Sequence, residues 1–105
     1  MDKLLKLIKA TGIPFAYDHF AEGEAPEPPF ICYLLPDSDN FAADGKVYFK
    51  ANEVHIELYT DTKDLSVEQK VEAVLDEHGI FYDRSEVWIE SEKLYEVLYS
   101  FEMEA

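Results

Sequence analysis

Two stretches of this sequence alternate so regularly between apolar and polar residues that each must form a strand with one buried face. In residues 53–60 every second residue is apolar, and in residues 95–103 every second residue is apolar or aromatic. Successive side chains of a strand point to opposite faces, so this period places each apolar set on one side of a sheet. The sequence therefore predicts that both strands line one core.

Between these two predicted strands, the apolar residues have the spacing of an α-helix. From residue 65 to residue 78 the apolar residues recur at intervals of three and four, which puts them on one face of a helix. Ser66 and Gln69 have the spacing of a capping box, and Gly79 suits the position after a helix C-terminus. Residues 2–10 show a shorter pattern of the same kind. We therefore expect helices at 2–10 and 65–78.

The other apolar stretches predict strands joined by short connections. Residues 13–20, 30–35 and 80–90 have strand composition, and Asp44-Gly45 favours a hairpin turn. The apolar positions change parity near Ala51-Asn52, where we expect a bulge or a turn. The order of elements predicts an α+β fold: a mostly antiparallel sheet, covered on one face by two helices, with a strand pair at the C-terminus.

The chain has 105 residues, of which 48% are hydrophobic, and this supports a single domain at 1–105 with its own core. Nine basic residues against 23 acidic ones give a net charge of −14. That charge disfavours binding along a nucleic-acid backbone or on an anionic membrane surface. No apolar run approaches the ~20 residues of a membrane span, so we expect a soluble acidic protein without a membrane partner.

No arrangement of residues indicates catalysis. The three histidines are isolated along the chain, and Cys32 lies in an apolar predicted strand, where a thiol is unreactive. The serines lack a glycine-flanked turn, and carboxylates are too numerous for any one pair to be informative. We predict no catalytic residue, no metal site and no cofactor. The expected role is structural or an interaction.

Two regions are candidates for contact with a partner. The outward-facing side of the last predicted strand includes Leu94 and Leu98. This side is therefore less polar than a solvent-exposed face requires. Residues 21–29 and 37–45 form the predicted loops, and within the second we select Asp39, Phe41 and Asp44. The composition of both loops fits plain solvent-exposed connections equally well.

A resemblance to a known family spans nearly the whole chain. It is carried by the helix around Glu68 to Leu75 and by four strand and turn stretches: Pro28-Pro29-Phe30-Ile31-Cys32-Tyr33, Asp39-Asn40-Phe41-Ala42-Ala43-Asp44, Val54-His55-Ile56-Glu57-Leu58-Tyr59-Thr60 and Val87-Trp88-Ile89-Glu90-Ser91-Glu92. Together they resemble the small tail-terminator or head-to-tail joining (tail completion) proteins of long-tailed bacteriophages and prophages of Gram-positive hosts.

This resemblance implies a structural virion protein and not an enzyme. It implies a six-fold ring of copies of this chain on the end of the tail tube, in contact with the tail-tube protein and with a head-completion protein. DNA would pass through the lumen without specific binding. The subunit would sit at the head-proximal end of the virion tail, and in the bacterial cytoplasm during assembly.

A second interpretation is an acidic cytosolic adaptor or inhibitor that binds a basic partner. A mimic of nucleic-acid charge should place its carboxylates along one continuous surface, whereas here they are spread over loops, helices and strand exteriors. An enzyme ranks third, since no catalytic arrangement is visible.

Overall fold

The backbone forms two helices and five strands that share one sheet. The structure is a computed structural model and describes residues 2–43 and 46–104. The elements in chain order are α1 (Asp2–Ala10), β1 (Phe15–Tyr17), β2 (Phe30–Ala43), β3 (Lys46–Thr60), α2 (Leu65–Glu77), β4 (Asp83–Ile89) and β5 (Leu94–Glu104). The strand order is β1-β2-β3-β5-β4. The short β1 runs parallel to β2, and the other three pairs are antiparallel. The chain is therefore an α+β protein with a mixed sheet.

The alternation that predicted two strands also builds the core. Val54, Ile56 and Leu58 of β3 are completely buried, and the register pairs them with Phe101, Tyr99 and Val97 of β5. Burial of one such side chain contributes about 1.5–3 kcal/mol to folding. The sheet therefore buries every second residue from 54 to 60 of β3 and from 97 to 103 of β5, as the sequence predicts.

Both helices contribute to the same core. Leu4, Leu7 and Ile8 of α1 are completely buried, while its lysines are exposed. Helix α2 adds its own apolar residues, and the core cluster contains Leu4, Leu7, Ile8, Ile13, Ile31, Val54, Ile56, Leu58, Val71, Val74, Leu75, Val97, Tyr99, Phe101 and Met103. The predicted helices at 2–10 and 65–78 match the structure to within one residue.

The start of α2 differs from the predicted capping box. The N-cap is Asp64, whose Oδ1 accepts hydrogen bonds from the backbone N–H of Ser66 at 3.1 Å and of Val67 at 3.3 Å. The hydroxyl of Ser66 donates to the same oxygen, so it is not itself the cap. These bonds lower the pKa of Asp64. At the other end, Gly79 has φ +67, the left-handed conformation predicted after the helix.

The largest departure from prediction is the length of the β2–β3 hairpin. Residues 37–40 are predicted as a turn, but their backbone continues β2 and pairs with β3. The ladder between β2 and β3 is irregular at two places, between Leu34 and Asp37 and between Phe41 and Ala42. It is regular at Ala51-Asn52, where the sequence predicts a bulge or a turn. Pro36 has no N–H to donate and falls inside the first irregularity, so a bulge carries the strand past it.

Two edge strands are shorter than predicted. Residues 13–20 form a strand only over Phe15–Tyr17, because Asp18 adopts a left-handed φ of 64 that ends β1. Residues 80–90 form β4 only over Asp83–Ile89. The predicted hairpin turn at Asp44-Gly45 lies outside the described residues.

A buried carboxylate joins α2 to the edge of the sheet. Glu68 is only 3% exposed, and its two oxygens contact Lys63 Nζ at 2.6 Å and Arg84 Nη2 at 2.5 Å. The Tyr99 hydroxyl donates to Glu72 Oε2 at 2.8 Å and adds a second link between helix and sheet. Burial alone would raise the pKa of Glu68, but the two cationic donors outweigh it and hold that pKa below its usual value.

We expect Glu68→Gln to destabilise the protein by about 1–3 kcal/mol at pH 7. Breaking a buried ion pair costs about 3–5 kcal/mol, and the value here is smaller because Lys63 and Arg84 are about a third exposed. A carboxylate with a lowered folded-state pKa stabilises above its unfolded pKa of about 4.3 and loses that effect as pH falls. Urea unfolding of both proteins should therefore show a difference that shrinks below about pH 4.

The matched control is Glu77→Gln, which removes one exposed carboxylate from the same helix. It should change the free energy of unfolding by less than about 0.5 kcal/mol. Equal effects of the two substitutions would show that Glu68 contributes only through net charge.

Candidate interaction surface

The sheet has a second face whose side chains point away from the core cluster, and we call it the outer face. It consists of the residues of opposite parity to the core: Phe30, Cys32 and Leu34 of β2, His55, Glu57 and Tyr59 of β3, Leu94, Glu96, Leu98 and Ser100 of β5, and Ser85, Val87 and Ile89 of β4. None of them belongs to the core cluster. This face therefore holds apolar, aromatic and acidic side chains that the core does not use.

The structure places two of the predicted contact residues on this face. Leu98 stands in register between Glu57 of β3 and Ser85 of β4, and Leu94 stands opposite Ile89. Both leucines are half-buried. The parity assigned to the last strand from sequence is therefore correct.

The other predicted contact residues lie in a different part of the chain. The backbone of Asp39 pairs with Ala51 and that of Phe41 with Phe49, while Asp44 lies outside the described residues. We call residues 37–43 and 46–50 the hairpin arm. Within the described ladders residues 40–43 and 46–50 pair only with each other, whereas residues 37–39 pair with residues 51–53 of β3. The eight-residue separation from Phe49 to the level of Leu98 corresponds to about 25 Å along β3. The structure does not bring the two sets together.

A pair of carboxyl groups lies at the centre of the outer face. The register sets Glu96 opposite Tyr59 and Glu57 opposite Leu98, so the two glutamates are diagonal neighbours. The Tyr59 hydroxyl donates to Glu57 Oε1 at 3.0 Å. Burial raises the pKa of Glu96, and the adjacent Glu57 carboxylate raises it further, through its charge and through a hydrogen bond between the two side chains. Two acidic side chains are thus held together here without a cation among their described partners.

The single cysteine lies beside this pair. Cys32 is 5% exposed and stands opposite Glu57. Burial and the carboxylates of Glu57, Asp18 and Glu96 raise the pKa of its thiol to about 11. The thiol is therefore protonated at neutral pH, in agreement with the unreactive buried cysteine expected from sequence.

A cavity opens on the outer face next to Cys32. Its volume is about 260 Å³, and it is lined by Asp18, His19, Phe20, Ala25, Phe30, Cys32, Tyr59, Ile89, Glu92 and Leu94. The segment after β1 brings Asp18 and Phe20 over the end of the sheet, where the ring of Phe20 packs edge-on against Phe30. Sequence reasoning missed this cavity, because the residues come from four separate segments.

The charges around the cavity are predominantly negative. Asp18 and Glu92 line it, and His19 is the only ionisable nitrogen among its lining residues, with Nδ1 2.9 Å from Asp18 Oδ2. The nearest cation in sequence, Lys93, forms an ion pair with Glu90. A cleft that is lined mainly by apolar side chains and carries two carboxylates concentrates the negative electrostatic potential.

Residues 2–43 and 46–104 contain no group of three or more His, Cys, Asp or Glu side chains arranged to hold a metal ion. Neither described helix has the length and hydropathy to cross a membrane. The histidines make local contacts: His55 Nε2 lies 3.1 Å from Glu53 Oε1, and His78 Nδ1 lies 2.8 Å from the Val74 carbonyl oxygen.

A scan against protein-family models found no match to this chain, and a search of curated proteins found no similar sequence. The function of the outer face must therefore be argued from its own residues.

We expect Glu96→Gln to stabilise the protein by about 0.5–1 kcal/mol at pH 7, because it removes one of two like charges on adjacent strands. A carboxyl whose pKa is raised in the folded state stabilises below its unfolded pKa and loses that contribution as pH rises. The gain should therefore disappear below about pH 4. Thermal or urea unfolding across this pH range measures it.

The control for this change is Glu22→Gln, which removes an exposed carboxylate from the segment between β1 and β2. If it stabilised the protein as much as Glu96→Gln, relief of net charge would explain both effects, and the interaction with Glu57 would contribute nothing.

Proposed function

We propose that this chain is a structural virion protein, a ring-forming tail terminator that caps the phage tail tube and joins it to the head-completion complex. The observation that carries the proposal is the outer face, on which Leu94 and Leu98 lie outside the core cluster. In this proposal α1 and α2 together cover the opposite face of the sheet, so that the outer face is left for a neighbouring subunit or for the tube.

The hairpin arm supports this assignment. The protein has a longest dimension of 50 Å against 29 and 23 Å in the other directions. A two-stranded hairpin is only marginally stable by itself, so an arm whose residues 40–43 and 46–50 pair only with each other in the described ladders favours contact with another molecule. Asp39 and Phe41 are the candidate contacts on the arm, together with Asp44 at its predicted turn.

The charge of the subunit is compatible with a channel for DNA. A ring with an acidic lumen repels the phosphates of DNA that passes through it and does not retain them. The proposed partners are therefore other copies of this chain in a ring, which is a hexamer in our proposal, the tail-tube protein and a head-completion protein. The proposed location is the head-proximal end of the tail, after assembly in the bacterial cytoplasm.

The acidic cavity favours a second candidate function. Asp18 and Glu92 at an apolar cleft suit an adaptor or inhibitor that binds a basic partner. The gene context separates the two candidates, because a tail terminator should be encoded beside a major tail-tube gene.

The proposed assembly should depend on salt. Copies with a net charge of −14 repel each other, and the range of that repulsion falls from a Debye length of ~30 Å at 0.01 M salt to ~10 Å at 0.1 M. Self-association should therefore be weak at low salt and strengthen as salt is added. Sedimentation velocity of the purified subunit measures it, and association that weakens with salt would contradict this view of the ring.

The decisive variant is Leu98→Lys, which places a charge on the outer face. Its fold should remain intact while infectivity falls by at least about tenfold, the effect of losing ~1.4 kcal/mol of contact free energy. The matched control is Leu65→Lys in the first turn of α2, where the leucine is 62% exposed. The control should retain wild-type infectivity.

Electron microscopy of particles made without the protein tests the function itself. We expect tails of variable, excessive length that do not join heads. Tails of normal, uniform length that join heads would refute the terminator role. Wild-type infectivity of Leu98→Lys would instead contradict only the proposed contact surface at Leu98.

A further inference from the structure

We propose that the acidic cavity on the outer face accepts an arginine side chain, presented by a basic segment of a partner protein. The proposed arginine site rests on the proposed function in one respect only: the outer face must be a contact surface. Three properties of the cavity support it: its walls, its charge and its size.

The walls of the cavity are aromatic and aliphatic. The ring of Phe20 meets that of Phe30 edge-on, with centroids 5.4 Å apart, and Phe30 stacks on Tyr59 at 5.2 Å. Leu94 and Ile89 add aliphatic side chains to the lining. Arginine combines a three-carbon stem that covers apolar surface with a flat guanidinium that stacks on aromatic rings, so it matches both kinds of wall.

The charge of the cavity selects a cation. Asp18 and Glu92 line the cavity, and the carboxylates of Glu57 and Glu96 are close enough to its lining residue Cys32 that both raise the pKa of the thiol. A guanidinium can form two parallel hydrogen bonds to a carboxylate, which a neutral side chain cannot reproduce. A cation in this place would also relieve the repulsion between the acidic groups.

The size of the cavity limits the occupant to one side chain. Its volume of about 260 Å³ is below the range of about 300–1,000 Å³ that holds drug-sized ligands. A cavity of this kind suits a single anchoring residue, and arginine is among the residues most often found as energetic anchors of interfaces.

A second copy of this chain is a poorer occupant. Among the side chains that the structure describes, Phe81 is the most exposed large apolar one at 92%, but it lies two residues before the acidic Asp83, so it would bring like charge to the rim. Lys3, Lys6 and Lys9 are exposed on α1, yet they belong to a chain of net charge −14. Charge complementarity therefore favours a basic partner over self-contact.

The test uses the isolated ¹⁵N-labelled subunit and a blocked amino acid, Nα-acetyl-arginine methylamide, as the probe. Titration should shift the amides of Phe20, Phe30, Tyr59 and Leu94 with a dissociation constant in the millimolar range, as expected for one anchoring side chain. The neutral analogues made from citrulline and from norleucine should bind at least about fivefold more weakly, because they cannot pair with the carboxylates.

The variant Asp18→Asn/Glu92→Gln should abolish the preference for arginine over citrulline. Its matched control is Asp61→Asn/Glu77→Gln, which removes two exposed carboxylates elsewhere and should leave the preference intact. A preference lost in both variants would mean that only net charge attracts the probe, and this would overturn the proposal.

Two further outcomes would overturn it. Norleucine binding as tightly as arginine would show an apolar anchor instead, and cavity amides that shift with subunit concentration alone would show that a second copy covers the face. Because the titration needs no phage particle, its failure leaves the terminator role standing, and failure of the tail experiment leaves the arginine site standing.

Discussion

The strict two-residue period of the central strand β3 governs the rest of this structure. From Ala51 to Tyr59 it is paired with β5 throughout and, except at the irregularity beside Val54, with β2 as well, so none of its side chains can change face without breaking a ladder. Val54, Ile56 and Leu58 are thereby committed to the core, and Glu57 and Tyr59 to the outer face. The same constraint that fills the core obliges the sheet to present carboxylates and aromatic rings together on its other side.

Much of this fold could be predicted from sequence, because its central elements are specified locally. The alternation of β3 and β5 and the helical spacing of α2 each depend on a single continuous segment. Residues 37–40 of the hairpin arm are wrongly predicted as a turn, since Asp37 and Asp39 have turn composition while cross-strand pairing with β3 overrides that preference. The cap at Asp64 was missed because Ser66 offers a similar local signal two residues later.

The candidate site could be predicted only in part, for a similar reason. Leu94 and Leu98 follow from the parity of one strand, and the structure places both on the outer face. The cavity could not be predicted, because Phe20, Phe30 and Glu92 are brought together only when the segment after β1 folds over the end of the sheet. Because the chain has 23 acidic residues, the sequence does not indicate which of them lie beside the cavity.

The partly or fully buried acidic side chains of this protein lie in two contrasting environments. Glu68 is buried against two cations, and that arrangement stabilises the subunit by itself. Glu57 and Glu96 are also partly buried, yet the structure sets them beside each other and beside an acidic cavity, where their repulsion opposes folding. A half-buried charge pair that costs stability in the isolated subunit becomes favourable once a cation is brought to it. In our proposal the outer face is complete only in a complex whose other member supplies positive charge.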